Sequence, residues 1–216
     1  MIYDASEKTP VYYLDFYNSS STLVGTIDSG DIVSLELQRN VIADKPTVGQ
    51  ANAGELDATF IIPSFTIPRM AGVNVRVTWN TVDYSLGWFY IDTRSEDPST
   101  NTLSIVCFDA MLMGEKACGT SGTDITVVNA IANLMGVQVD SSVTSYIVNS
   151  YAIPADQALN SARDVLRLIG SAYGGSFFIT RTGKLGFAGL AVGAETYYLV
   201  DENGDPITFG GDRILV

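Results

Sequence analysis

The sequence predicts an α+β protein that is mostly β: a small β-barrel or sandwich followed by an α+β domain with two helices and β-hairpins. Three observations predict it. As far as residue 108, short apolar runs alternate with turn residues, and almost no helical period intervenes. Beyond residue 119 apolar residues recur at steps of three and four in two segments, 124–135 and 156–173. The second segment ends at Gly174-Gly175, after which the period changes to two. The polar run GTSG at 119–122 marks the boundary, which gives a β-barrel-like domain at 1–118 and an α+β domain at 119–216.

In chain order, 11–17 (VYYLDFY) and 22–27 (TLVGTI) read as strands around an Asn18-Ser19-Ser20-Ser21 turn. Residues 31–39 (DIVSLELQR) set Ile32, Ser34, Glu36 and Gln38 against Val33, Leu35 and Leu37, the alternation of a half-buried strand. A loop rich in Gly, Asn and Pro covers 40–54, and 55–62 (ELDATFII) is the next strand. Pro63 and Pro68 bracket an extended piece that cannot lie inside a sheet, because proline has no N–H to donate. Strands at 73–79, 86–93 (LGWFYIDT) and 102–108 (TLSIVCF) complete this half, and Asp109 caps a short helical turn, AMLMGEK.

In the second half Thr123 or Asp124 caps a helix through Met135, with Ile125, Val128, Ala132 and Met135 on one stripe and Gly136 ending it. Residues 137–153 read as one strand and a loop. The next helix begins near Pro154 and Asp156 and carries Leu159, Ala162, Leu166, Ile169 and Tyr173 on one face. The hairpin after it has Thr182-Gly183 as a two-residue loop, pairing Thr180 with Leu185 and Phe178 with Phe187. That register sets Phe178, Thr180, Leu185 and Phe187 on one face against Phe177, Ile179, Gly186 and Ala188. A last hairpin combines 195–200 with 207–209 around Asn203-Gly204. The ending GGDRILV has no polar tail, and the chain is expected to be a piece of a longer protein.

Composition narrows the function. Twenty-four acidic residues face 12 basic ones, a net charge of −12, and no Lys/Arg cluster occurs, so neither nucleic-acid phosphates nor anionic membranes are expected partners. No apolar run is long enough to insert in a membrane, and the start MIYDASEKTP lacks a secretory pattern, which points to synthesis in the cytoplasm. Only 17% of residues are charged, against about 25% in soluble domains generally, as suits either a β-rich surface covered by neighbours or a plain neutral surface.

Histidine is absent, which removes the commonest general base and metal ligand together. Cys107 lies in an apolar strand as a small core residue, and Cys118 in a loop; the two form either a disulfide or a reduced pair. The acidic groups Asp28/Asp31, Asp92/Glu96/Asp97 and Asp201-Glu202-Asn203-Gly204-Asp205 have no chelating spacing, and the last reads as a hairpin turn. Gly170-Ser171-Ala172-Tyr173-Gly174-Gly175 follows a helix instead of opening one, so it lacks the dipole geometry that holds phosphate. No G-x-S-x-G elbow and no P-loop occur. Catalytic, cofactor-binding and metal-ligating residues are therefore all assigned as none. Eleven Tyr, nine Phe and two Trp either pack in cores and subunit interfaces or line a sugar-binding groove.

Two stretches carry a family resemblance. The segment RDVLRLIGSAYGGSFFITRTGKLGF, and the strand Trp88-Phe89-Tyr90-Ile91-Asp92 followed by Ser104-Ile105-Val106-Cys107-Phe108-Asp109-Ala110-Met111-Leu112, resemble the tail-hub proteins of bacteriophages and related contractile injection systems. The resemblance covers well under half of the chain. It implies a structural, non-enzymatic component of a phage or prophage tail in the virion, a hub or baseplate ring, typically a trimer, with tail-tube and distal-tail proteins as partners. An acidic lumen in such a ring would repel DNA and let it pass. The alternatives are a carbohydrate- or receptor-binding module of a phage tail and, third, a hydrolase working with paired carboxylates.

Overall fold

A computed structural model describes residues 9–39, 48–148 and 151–189, with the backbone alone at 208–209 and 212–213. Seven strands fill the first half: β1 (Val11–Tyr17), β2 (Leu23–Asp28), β3 (Ile32–Gln38), β4 (Glu55–Ile61), β5 (Gly72–Trp79), β6 (Val82–Asp97) and β7 (Thr102–Phe108). They form one antiparallel sheet in the order β2-β1-β5-β6-β7-β4-β3. Laid flat, six strand spacings would hold β2 and β3 about 29 Å apart. Yet only residues 29–31 join them, a link that reaches roughly 13 Å. The sheet therefore rolls, and one cluster of buried side chains collects on its concave face, including Leu14, Phe16, Phe60, Val73, Phe89 and Ile105.

No ladder pairs β2 with β3, so the expected barrel is not closed. Phe65, from the loop between the two prolines, closes the core over Gly25: a Cβ there would sit 2.6 Å from its ring. β3 departs from simple alternation as well. A bulge between Ile32 and Ser34 leaves Val33 62% exposed, although Leu35 and Leu37 still pack against the core.

β6 is twice as long as its apolar run, 86–93, predicts. Its first half pairs with β5 and its second with β7, and irregularities opposite Val75/Arg76 and at Ile91/Thr93 bend it between the two partners. The flanking residues are exposed and mostly polar, so periodicity did not mark them.

The second half adds β8 (Gly122–Thr123), α1 (Asp124–Met135), α2 (Ser141–Tyr146), β9 (Ala152–Ile153), α3 (Ala162–Ala172), β10 (Gly175–Ile179) and β11 (Leu185–Gly189). α1 matches its predicted span; Thr123 stands at the N-cap position, although its side chain makes no capping hydrogen bond, and Gly136 in the left-handed region ends the helix. α2 corrects the reading of 137–153 as strand and loop, and makes the α-helices three among the described residues. Its sequence, SSVTSY, buries only Val143 and so shows no helical stripe, but Asp140 caps it by accepting a hydrogen bond from the Ser142 amide.

α3 starts later than Pro154 and Asp156 imply. Ser161 is its N-cap, with Oγ accepting from the Asp164 amide and donating to the Asp164 carboxylate. Leu159 therefore falls in a preceding 3-10 turn and is 82% exposed, while Ala162, Val165, Leu166 and Ile169 are buried. The hairpin register differs by one residue. Ile179 pairs with Leu185 and Phe177 with Phe187, because Thr180–Lys184 makes a wider turn with Gly183 at φ 76°, a conformation that strains any side-chain-bearing residue. One-residue slippage exchanges faces. Phe177, Ile179, Leu185 and Phe187 lie together in the core, and Phe178 on the other side.

The segment before β4 binds the halves together. Gly49 and Phe177 donate backbone hydrogen bonds to Gly175 and Gln50, at 2.7 and 2.8 Å, extending β10 with residues 49–51. Ala51, Ala110 and Met111 join the core built by the helices and the hairpin. The last predicted hairpin lies outside the described residues except at Thr208–Phe209, whose backbone pairs with Asp212–Arg213.

Candidate functional site

The hairpin turn between β10 and β11 leans on the sheet. The Gly183 amide donates to Thr180 O at 2.9 Å, which folds the turn so that Gly183 faces the Trp88 indole. On either side of this contact lies a hollow between sheet and hairpin.

The first hollow, about 320 Å³, is lined by Arg39, Asn52, Gly54 and Asp109 on one wall and by Phe178, Thr180 and Arg181 on the other. Asp109 caps its helical turn as expected, with Oδ1 accepting from the Met111 amide at 2.9 Å. It also does what sequence could not reveal: Oδ2 accepts from the Gly54 amide at 2.8 Å, tying the loop before β4 to the end of β7. Burial pushes its pKa up to about 6, against the opposing pull of those two amides and of Arg39 and Arg163.

Arg39 leaves the end of β3 and lays its guanidinium over Phe89, 5.5 Å from the ring centroid. Its Nη2 lies where a Cβ on Gly87 would come within 1.7 Å, so only glycine at 87, with φ 145°, leaves room. Nε and Nη2 are buried and have no hydrogen-bond partner among the described residues. Burial lowers the Arg39 pKa; Asp109 opposes this and Arg181 adds to it.

The second hollow, about 410 Å³, has an aromatic floor and a polar rim. Tyr17 and Trp88 stand 4.7 Å apart at 46°, Tyr90 lies beside them, and Asn18, Ser19, Ser21 and Thr182 edge the opening. Asn18 holds its turn, its Oδ1 accepting from the Ser20 and Thr22 amides.

The acidic groups do not converge. Asp28 accepts from Gly30 within its own turn, Asp97 accepts from Ser99, and Asp92 and Glu96 lie exposed on β6. Residues 201–205 are outside the described part of the chain. Among the described residues no three His, Cys, Asp or Glu side chains could hold a metal ion. Both cysteines are free and buried, and burial pushes the Cys107 thiol up to about 12, far from reactive thiolate. Neither Arg39 nor Arg181 stood out in the sequence. They come from a strand end and a turn far apart in the chain, and their only signal was the scarcity of cations.

No protein-family model matches the chain, and no curated protein matches it by sequence. Solved structures do. The 43 kDa tail protein of prophage MuSo2 from Shewanella oneidensis superposes with a TM-score of 0.54 at 12% identity, covering 94% of this chain and 62% of that one. Prophage tail protein gp18 from Listeria monocytogenes EGD-e gives 0.51 at 12% identity, covering 91% and 64%. The chain thus spans less than two thirds of each neighbour's length, and its α+β fold is one that prophage tail proteins share.

Proposed function

We propose that this chain is a non-enzymatic structural component of a phage or prophage tail, carried in the virion. In this reading it sits in the hub or baseplate as a ring of three copies between tail tube and tail tip, with tail-tube and distal-tail proteins as partners. The observation that carries the reading is the fold held in common with the two prophage tail proteins over more than nine tenths of the chain. The Trp88 to Asp92 strand and the helix, diglycine and hairpin of 156–190 point the same way from sequence.

Physical features support assembly. The rolled sheet ends in two strands, β2 and β3, that each lack a neighbour on one side among the described residues, and exposed Leu23 and Val33 lie on them. Closed rings form when such edges meet their counterparts around an axis. The net charge of −12 would keep a channel lined by this chain from holding DNA. Mass photometry of the purified chain, alone and mixed with a tail-tube protein, is expected to give a discrete trimeric particle. A solitary monomer under both conditions would sink the proposal.

A second reading, a carbohydrate-binding module, draws on one observation, the Tyr17 and Trp88 floor with its hydroxyl and amide rim. Saturable quenching of tryptophan fluorescence by a host cell-wall glycan, lost in Trp88→Ala, would favour it. No quenching by any glycan on an array would remove it.

A further inference from the structure

We propose that the acidic outer face of β3 and β4 in one copy docks on the hollow that holds Arg69 and Arg94 in a second copy of this chain. The inference rests on the ring reading and names the two surfaces that meet in it. The hollow, about 410 Å³, opens beside β6 where β5 stops pairing with it, the ladder ending at Gly72 opposite Tyr90. β6 contributes Asp92 and Arg94, the turn of residues 68–71 contributes Arg69 and Met70, and the helical turn after β7 contributes Leu112 and Met113. Both arginines are exposed as well as lining the hollow, so an incoming group reaches them. Arg94 is held by Nη1, which donates to Ile67 O at 3.0 Å, while among the described residues Arg69 has neither hydrogen bond nor ion pair. Asp92 stands within ion-pair distance of neither, and two arginines against one aspartate leave the hollow positive. Met70 has φ 59°, a conformation that a turn ordinarily gives to glycine, and its apolar side chain is 61% exposed there.

The complementary surface lies on β3 and β4. Glu36 and Asp57 stand directly opposite each other across that ladder, and Glu55 follows opposite Gln38. These carboxylates alternate with Leu35, Leu37, Leu56 and Ala58, which pack on the core, so all three belong to the outer face. Like charges in directly opposed positions repel. Among the described residues no Lys or Arg comes within ion-pair distance of any of the three. The same two strands expose Val33 and Ile61, apolar counterparts for Met70 and Leu112. One surface thus curves outward and carries carboxylates without cations, while the other is hollow and carries two of only twelve cationic side chains without carboxylates to pair them. Copies with a net charge of −12 repel one another as a whole, and a positive hollow against an acidic face is an orientation in which that repulsion is relieved. Two different patches joined head to tail close into a ring when the rotation between copies allows it.

A charge swap tests the contact, with association of the whole chain measured by sedimentation velocity at low salt. Arg69→Glu and Glu36→Arg each change an exposed side chain, and the second also removes the repulsion with Asp57, so the fold has no reason to fail in either. Each variant alone is expected to associate about tenfold more weakly than the native chain, and the double variant, which exchanges the two charges across the contact, to recover to within about threefold. Recovery also shows that neither change harms the fold. Arg167→Glu, the same change of net charge placed on α3, serves as the control and should associate as the native chain does. Native association in either single variant, a double variant no stronger than the singles, or an equal loss in the α3 control would overturn the assignment. The two readings fail differently: a native chain that stays monomeric removes the ring and this contact together, whereas an assembly indifferent to both charge reversals removes the contact alone.

Discussion

Asp109 anchors two backbone amides, one from its own helical turn at Met111 and one from distant Gly54, and it does so from a buried position. A carboxyl in the unfolded chain titrates near 3.9, whereas burial pushes the folded value up to about 6. Between these pH values the folded state binds more protons than the unfolded one, so this group's contribution to stability falls as pH rises through the window. Measured against Asp109→Ala by urea denaturation, the native chain is expected to gain on the order of 2–3 kcal/mol between pH 7 and pH 4. Asp97 and Asp140 have pKa values held down by hydrogen bonds from Ser99 and Ser142; they titrate in the opposite sense and cancel in the difference. A difference that stays flat over this range would show that Asp109 is not buried as described. Gly87 is a second single-residue constraint. Gly87→Ala places a methyl in the Arg39 guanidinium and strains a φ of 145°, and a loss of about 1–3 kcal/mol is expected in thermal unfolding.

α3 and the hairpin after it mark how far local pattern reaches. Their existence, order and the stop at Gly174 were legible, because a stripe of spacing three and four followed by alternation leaves few other structures open. Where α3 begins was not, since Leu159 happens to continue the stripe by one step. The competing signal was Ser161 with Asp164 three residues on, a cap that stops the helix from extending backwards. The hairpin register hung on one turn residue: Gly183 in the left-handed region takes a wider loop than Thr182-Gly183 alone, and the β10 side chains exchange faces relative to Leu185 and Phe187. α2 was hidden because a helix that buries a single residue has no period to read. The candidate site was the least legible, since Arg39, Asp109 and Arg181 meet only through tertiary packing. The revised register makes a direct prediction. Leu159→Ser is expected to change stability by less than about 0.5 kcal/mol, Ser161→Ala to cost about 1 kcal/mol, and Leu166→Ala about 2–5 kcal/mol, as read from denaturation midpoints at unchanged m-value. Equal losses at Leu159 and Leu166 would restore the longer helix.

At the scale of the whole molecule, two cores meet along a strip of backbone where residues 49–51 pair with β10 and Asp109 ties Gly54 to the end of β7. β2 and β3 end the strand order of the rolled sheet, and among the described residues no further strand pairs with either of them. Edges of this kind invite pairing with another chain unless charge or a bulge blocks them. β3 carries a bulge, and it turns the apolar side chain of Val33 outward. If assembly uses these edges, a lysine at Leu23 or Val33 should disrupt it without unfolding the monomer, because both side chains already face solvent. Leu23→Lys and Val33→Lys are expected to shift the particle mass toward the monomer by at least a tenfold weaker association, with thermal midpoints within a few degrees of the native chain. Leu168→Lys, an equally exposed leucine on α3, serves as the control and should leave the mass unchanged. Intact particles in both edge variants, or dissociation only in the α3 control, would move the contact between copies away from the rolled sheet and onto the helical face.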